Sequence, residues 1–290
     1  MLVGSSFAQQ DPHFTQFFDN ALFMNPAYAG SKEALSLTSV HREQWTGFDG
    51  RPKSSSLTVH TPLKYKSIGL GLGYVNDRLG PVSQNLCFAD FSYTLRFKNK
   101  TKLAFGLKAG FNLLNIGMSE LNTTILDDPH LMNNVRNKMN PNFGTGIYYH
   151  SPKWFIGFSV PKLVENSYDG SENNLEKRHY YTHLGGVIRL DDAWLLRPIA
   201  QVKFTEGAPV SVDASIAGVY RDKFYIGALY RLDAAFGAFV QYQLNPQFKI
   251  GFASDFGTQE IRNYNDGTFE VLLTYDFIYQ NSGVRSPRYF

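Results

Sequence analysis

From about Asn140 onward, short runs of alternating apolar and polar residues follow one another with little between them. The chain stops at Tyr289-Phe290, with Tyr275, Phe277 and Tyr279 alternating just upstream. Alternation at period 2 gives a strand one apolar face and one mixed face. Many such strands in succession, finished by an aromatic residue, form the pattern of a wall that is apolar outside and polar inside, a transmembrane β-barrel. In such a fold most of the sequence is scaffold, and function sits in loops, lumen and termini.

Composition separates this reading from its rivals. A length of 290 residues suits one large all-β domain or two ordinary ones. Mean hydropathy is -0.26, and no apolar run approaches the ~18 residues a membrane helix needs. That excludes a helical membrane protein but not a barrel, whose strands place lipid-facing residues only at every second position. Phe, Tyr and Trp make up 15%, beside 25 Gly, an excess that fits interfacial girdles and a crowded lumen. A net charge of +3 is too mild to argue for nucleic acid. The single Cys87 cannot form an internal disulfide and reads as a small apolar strand residue.

The strands themselves are explicit. Ile68, Leu70, Leu72 and Tyr74 alternate with Gly69, Gly71 and Gly73, which leaves one face bare, as a tightly curved barrel wall permits. Leu103, Phe105, Leu107, Ala109 and Phe111 oppose Lys108. Phe248, Ile250, Phe252 and Phe256 alternate with Lys249, Gly251 and Asp255, and Val271 to Tyr279 with Glu270, Thr274 and Asp276. These inward charges are expected to be wet, which removes the cost of burying them in a dry core.

Short links are expected at 64–66, 98–100, 151–153, 191–192, 221–223 and 245–247. Mostly longer ones are expected at 46–52, 76–83, 117–139, 163–177, 205–209 and 257–267, with one short member near Asp233. Short turns alternating with longer loops give an antiparallel barrel of about 14 strands, with tight periplasmic turns and extracellular loops. Asp128-Pro129 followed by Leu131, Val135 and Met139 predicts a short helix in the longest loop, with Asp128 as N-cap.

Residues 1–8 read as the stub of a truncated secretory signal, with small residues Ser6 and Ala8 flanking Phe7 ahead of Gln9. Residues 9–33 are turn-rich and carry Phe14, Phe17, Phe18, Phe23 and Tyr28. They predict a non-strand segment that plugs or staples the lumen, because a partner contact would leave those aromatics exposed when unbound. Residues 34–290 are the barrel.

No catalytic constellation stands out. His179 and His183 lie in a strand-like run, where i,i+4 spacing separates them by roughly 13 Å on one face, unlike a metal pair. The oxygen-rich run from Asp169-Gly170 to Asn174 lacks the carboxylate spacing of a calcium loop and reads as a solvated tip. The expectation is no enzyme, no cofactor and no metal. Lys64, Lys66, Lys98 and Lys100, with Lys102, Lys153, Arg221 and Lys223, gather on the short turns. They meet lipid phosphate, keep the turns soluble, or form a docking rim for an acidic partner.

Asp11 to Phe18, Asn25-Pro26-Ala27-Tyr28-Ala29-Gly30, Arg42-Glu43-Gln44-Trp45 and Gly50-Arg51-Pro52 resemble the opening of the PorP/SprF family. Ser286-Pro287-Arg288-Tyr289-Phe290 resembles its closing motif, so the resemblance runs essentially end to end. It implies a bacterial outer-membrane protein of type IX secretion, linked in some members to gliding motility. Implied partners are outer-membrane lipid, a secreted surface adhesin or its C-terminal sorting domain, and a periplasmic peptidoglycan-binding lipoprotein of the machinery. The loops holding Asp128, Pro129, Asp169 and Gly170 are the candidate adhesin site, since recognition concentrates in loops on a rigid scaffold. The rival role is a passive, porin-like channel, against which the bulky inward residues Tyr225 and Leu229 argue.

Overall fold

In the computed structural model of the chain, the structure describes residues 11–47, 49–63, 67–117, 135–166, 176–258 and 266–278. The strands are β1 Leu35–Glu43, β2 Lys53–Pro62, β3 Ile68–Leu79, β4 Val82–Arg96 and β5 Lys102–Ile116. They continue as β6 Val135–His150, β7 Trp154–Val160, β8 His179–Gly186, β9 Ile188–Arg189 and β10 Trp194–Thr205. The last five are β11 Ser211–Tyr220, β12 Phe224–Arg231, β13 Ala235–Gln243, β14 Phe248–Gly257 and β15 Thr268–Phe277.

Among the described residues each strand pairs antiparallel with its neighbour, and β15 returns to β1. Fourteen strands close the ring, with β9 as a short extra piece on β10. Both β8 and β9 keep one register on β10, and the stretch Gly186-Val187, unpaired on β10, falls opposite Arg197-Pro198, where Pro198 has no N–H to give a ladder.

Five of the predicted short links lie among the described residues and fall at one end of the barrel; the link at 64–66 lies outside the described residues. The link expected over 76–83 is only Gly80-Pro81, and the ladder runs up to the pair Leu79↔Val82. Its polar residues resemble a loop in sequence but pair across the hairpin, with Tyr74 Oη and Asn76 Nδ2 both donating to Asn85 Oδ1. The helix expected to reach Met139 does not, because Val135 and Met139 belong to β6; the earlier part, with Asp128 and Pro129, lies outside the described residues.

The outer wall carries exposed rows such as Leu70, Leu72 and Tyr74 on β3, Phe105 and Leu107 on β5, and Phe252 and Phe256 on β14. An apolar surface of this extent has no place in water, and lipid satisfies it. Cys87 sits half-buried in β4. Aromatic pairs ring both ends of the described wall. Tyr149–Trp154, Trp194–Tyr220 and Phe224–Tyr242 lie at the short-turn end, and Tyr180–Phe204 and Tyr230–Phe236 at the other.

Candidate functional site

The lumen is filled by the chain's own residues 11–34. Short helical turns compact this segment: Phe17–Asn20, Ala21–Met24 and Pro26–Tyr28. Pro26 starts the last turn with φ already fixed, and the Asn25 side chain accepts from the Ala27 N–H at 2.9 Å, capping it. The aromatics Phe14, Phe17, Phe18, Phe23 and Tyr28 are all buried, and Phe18 stacks on Phe155 of β7 at 4.5 Å.

The plug descends from the long-loop end to the short-turn end, then enters β1. At the top, Arg42 of β1 reaches Asp255 at 2.6 Å and Glu270 at 3.2 Å, all three buried. The Thr15 and Gln16 backbone N–H groups donate to Glu270 at 2.7 and 2.9 Å, and Thr15 Oγ1 donates to Asp255. Beside them Lys162 joins Asp11 at 2.7 Å and Glu176 at 2.5 Å. Lys162 enters the lumen because the chain leaving β7 steps inward at Pro161, over Gly144, before Leu163 N–H rejoins Phe143 O at 2.7 Å. Burial would raise the Asp11 carboxyl, but Lys162 and His179 outweigh it and hold it well below the ordinary carboxylate range. Burial would lower Lys162, but Asp11 and Glu176 push it above its ordinary value. Burial, with Lys203 and Arg231 nearby, pushes the His13 imidazole well below its ordinary value.

Lower down, wall side chains satisfy plug carbonyls: Lys108 to Leu22 at 3.2 Å, Ser159 to Met24 at 2.9 Å and Ser92 to Ala29 at 2.7 Å. Asp19 is clamped by Lys249 and Arg197; burial would raise its carboxyl, but those two cations hold it well below its usual range. The wall glycines serve this contact. A side chain at Gly69 would strike the Ala29 carbonyl, at Gly106 the Pro26–Ala27 backbone, and at Gly146 the Asn25 side chain. The bare face of β3 is therefore a seat for the plug rather than a product of wall curvature alone.

At the exit, Lys32 lies 3.7 Å from Asp276, and Glu33 accepts from Arg96 at 2.9 Å and Lys102 at 2.6 Å. Two small cavities, about 30 and about 10 Å³, lie beside Asp11 and Lys162 and have room for a water or two. The expectation of wet lumenal charges is thus corrected. Lys108, Asp255 and Glu270 are buried against partners, Lys108 lying 3.0 Å from Asp90, and the plug supplies much of the pairing for the other two.

Of the residues singled out by sequence, Lys64, Lys66, Asp128, Pro129, Asp169 and Gly170 lie outside the described residues. Lys98 and Lys100 are exposed on the β4–β5 turn, Lys100 with φ 67. Lys102, grouped with them, instead points into the mouth and binds Glu33. Tyr225 and Leu229 face inward and are buried, as predicted. His179 and His183 lie on one face of β8, and among the described residues no group of three metal-ligating side chains forms. Sequence reading gave Arg42 no role beyond the resemblance, and it missed Lys162 and Glu33. A trace of the first existed, since Asp255 and Glu270 are inward acids on adjacent strands and need a cation.

Fourteen closed strands, a lipid-facing apolar exterior and a charged, filled interior define an integral outer-membrane β-barrel. Solved structures agree on the fold. The Acinetobacter baumannii outer membrane protein Omp33 is similar at TM-score 0.50 and 10% identity, covering 84% of this chain and 98% of that one. The CymD monoaromatic hydrocarbon channel is similar at TM-score 0.54 and 12% identity, over 90% and 93%. No curated protein matches the chain. Residues 6–275 match the family described as type IX secretion system membrane protein PorP/SprF, and the chain belongs to that family.

Proposed function

We propose that this protein is a non-enzymatic outer-membrane platform that anchors, or supports export of, a secreted surface protein of the type IX pathway. The supporting observation is that its own N-terminal segment fills the lumen. A resting barrel with this interior offers recognition surfaces rather than a route for solutes. Residues 9–33 act as the plug and 34–290 as the wall. The segments carrying Asp128-Pro129 and Asp169-Gly170, within the loops expected at 117–139 and 163–177, engage an adhesin-type C-terminal sorting domain, while the short-turn end meets periplasmic machinery, a peptidoglycan-binding lipoprotein among the expected partners. In members of the family tied to motility the same anchoring would serve gliding.

The passive-channel reading requires an open path, which the buried plug opposes. A chromosomal deletion of the gene, followed by surface shaving and mass spectrometry, tests the platform reading. At least one protein with a type IX sorting domain is expected to leave the surface, and to return only with a copy whose two long loops are intact. A surface proteome unchanged by the deletion contradicts it.

A further inference from the structure

Cations gather on two arcs of the short-turn mouth, Arg221 and Lys223 on the β11–β12 turn and a larger group around β4 and β5. The β4–β5 hairpin and its neighbour present Arg96, Lys98, Lys100, Lys102 and Lys153, whereas the β9–β10 turn presents Asp191 and Asp192. Within the β4–β5 arc, among the described residues, the carboxylate that meets Arg96 and Lys102 does not come from the wall. It is Glu33, the plug's last acidic residue, two positions before β1 begins.

Arg96 and Lys102 form a cross-strand pair on the inward face, while their neighbours Leu95 and Leu103 point outward. Phosphate of the surrounding leaflet meets the outer wall and does not reach a pair turned into the mouth. A side chain or peptide arriving from below does. The Glu33 contact is also one that can be exchanged. Its carboxylate is 28% exposed and Arg96 is 37% exposed, so water screens the pair. Its backbone sits at φ 57, a left-handed conformation that non-glycine residues adopt at a cost.

We propose that Arg96 and Lys102, flanked by Lys98 and Lys100, are the binding site for a carboxylate-rich segment of a periplasmic protein, and that Glu33 occupies this site in the unbound barrel. Binding of the partner displaces Glu33 and removes one tie at the lower end of the plug, where the Lys32–Asp276 pair remains, while Arg42, Asp255 and Glu270 hold the upper end. The inference rests on the reading that the short-turn end faces the periplasm.

The test uses the full chain in nanodiscs of zwitterionic lipid, with fluorescein-labelled decaglutamate as probe and anisotropy as readout. Removing the internal competitor by Glu33→Gln is expected to tighten binding roughly fivefold, the scale of one exposed ion pair. Adding Arg96→Gln and Lys102→Gln to that variant is expected to lower affinity more than tenfold, and Asp191→Asn to leave it unchanged. Equal or weaker binding by Glu33→Gln, binding that survives loss of both cations, or no binding by either form overturns the proposal. Unchanged unfolding midpoints exclude misfolding as the cause.

Repeating the ranking in discs containing anionic lipid separates the sources. A ranking that persists supports a protein ligand, and one that vanishes assigns the cations to lipid phosphate and overturns the proposal. Orientation is read independently with Asn99→Cys in a Cys87→Ala background. Labelling by an impermeant maleimide only after outer-membrane permeabilisation places this mouth in the periplasm. Labelling of intact cells refutes the orientation, and with it the periplasmic partner, whatever the peptide result.

Discussion

The two ends of the plug are held by the same chemistry in opposite settings. At the top, Arg42, Asp255 and Glu270 are buried to within a few per cent, and plug N–H groups complete the cluster. At the bottom, beside a nearly buried Lys32–Asp276 pair, Glu33, Arg96 and Lys102 are about a quarter to two-fifths exposed. A buried ion pair is costly to break because it strands a charge without water, whereas an exposed pair exchanges with solvent at little cost. The top is therefore a fixed anchor and the Glu33 contact a latch, beside which Lys32 and Asp276 still hold the chain when the latch opens.

Breaking the anchor should have the largest effect. Arg42→Met leaves two carboxylates buried side by side, and a loss of about 3–5 kcal/mol is expected in guanidinium unfolding of the detergent-solubilised protein. Adding Asp255→Asn and Glu270→Gln should restore much of it; a triple variant no better than the single one would place the loss elsewhere. Next comes crowding of the seat. Gly106→Leu drives a side chain into the Pro26–Ala27 backbone, which should cost about 1–3 kcal/mol and make the lumen conduct in planar bilayers.

Acid should sharpen the contrast by order of release. Glu33 has its pKa lowered from 4.5 to about 2; burial works against this, and hydrogen bonds from Lys102 and Arg96 produce it. Its stabilisation is full above the unfolded value and drains as pH falls from 4.5 through about 2. Asp11 is depressed further, so its contribution begins to fall below 3.8 and persists to lower pH than that of Glu33. Lys162 is raised, so its share is lost only as pH climbs above 10.5. Proteolysis on the acid side, with an acid-active protease, should cut near Glu33 before it cuts near Asp11; the reverse order would contradict the assignment of anchor and latch. The smallest effect is expected from Glu33→Gln, about 0–1 kcal/mol in the same unfolding assay.

The wall was far more legible in the sequence than the interior. Alternation at period 2 is local, so the faces of β3, β5, β14 and β15 could be read from neighbouring residues, and the even strand number followed from turn spacing. The anchor joins Thr15 to residues 240 and 255 positions away, and no local pattern encodes that pairing. Glycines 69, 71 and 73 announced a bare face but not what would lie against it. The lysine-bearing turns drew attention to Lys98 and Lys100, although the pair engaged by the plug is Arg96 and Lys102. Strand parity, applied to the ends of β4 and β5, turns these two inward and would have singled them out.

Single-channel recording in planar bilayers tests the central claim most directly, by comparing the intact chain with a variant lacking residues 11–30. The intact barrel is expected to stay closed and the deleted form to show steady conductance. A steady, large conductance from the intact protein would contradict a lumen filled by its own N-terminal segment.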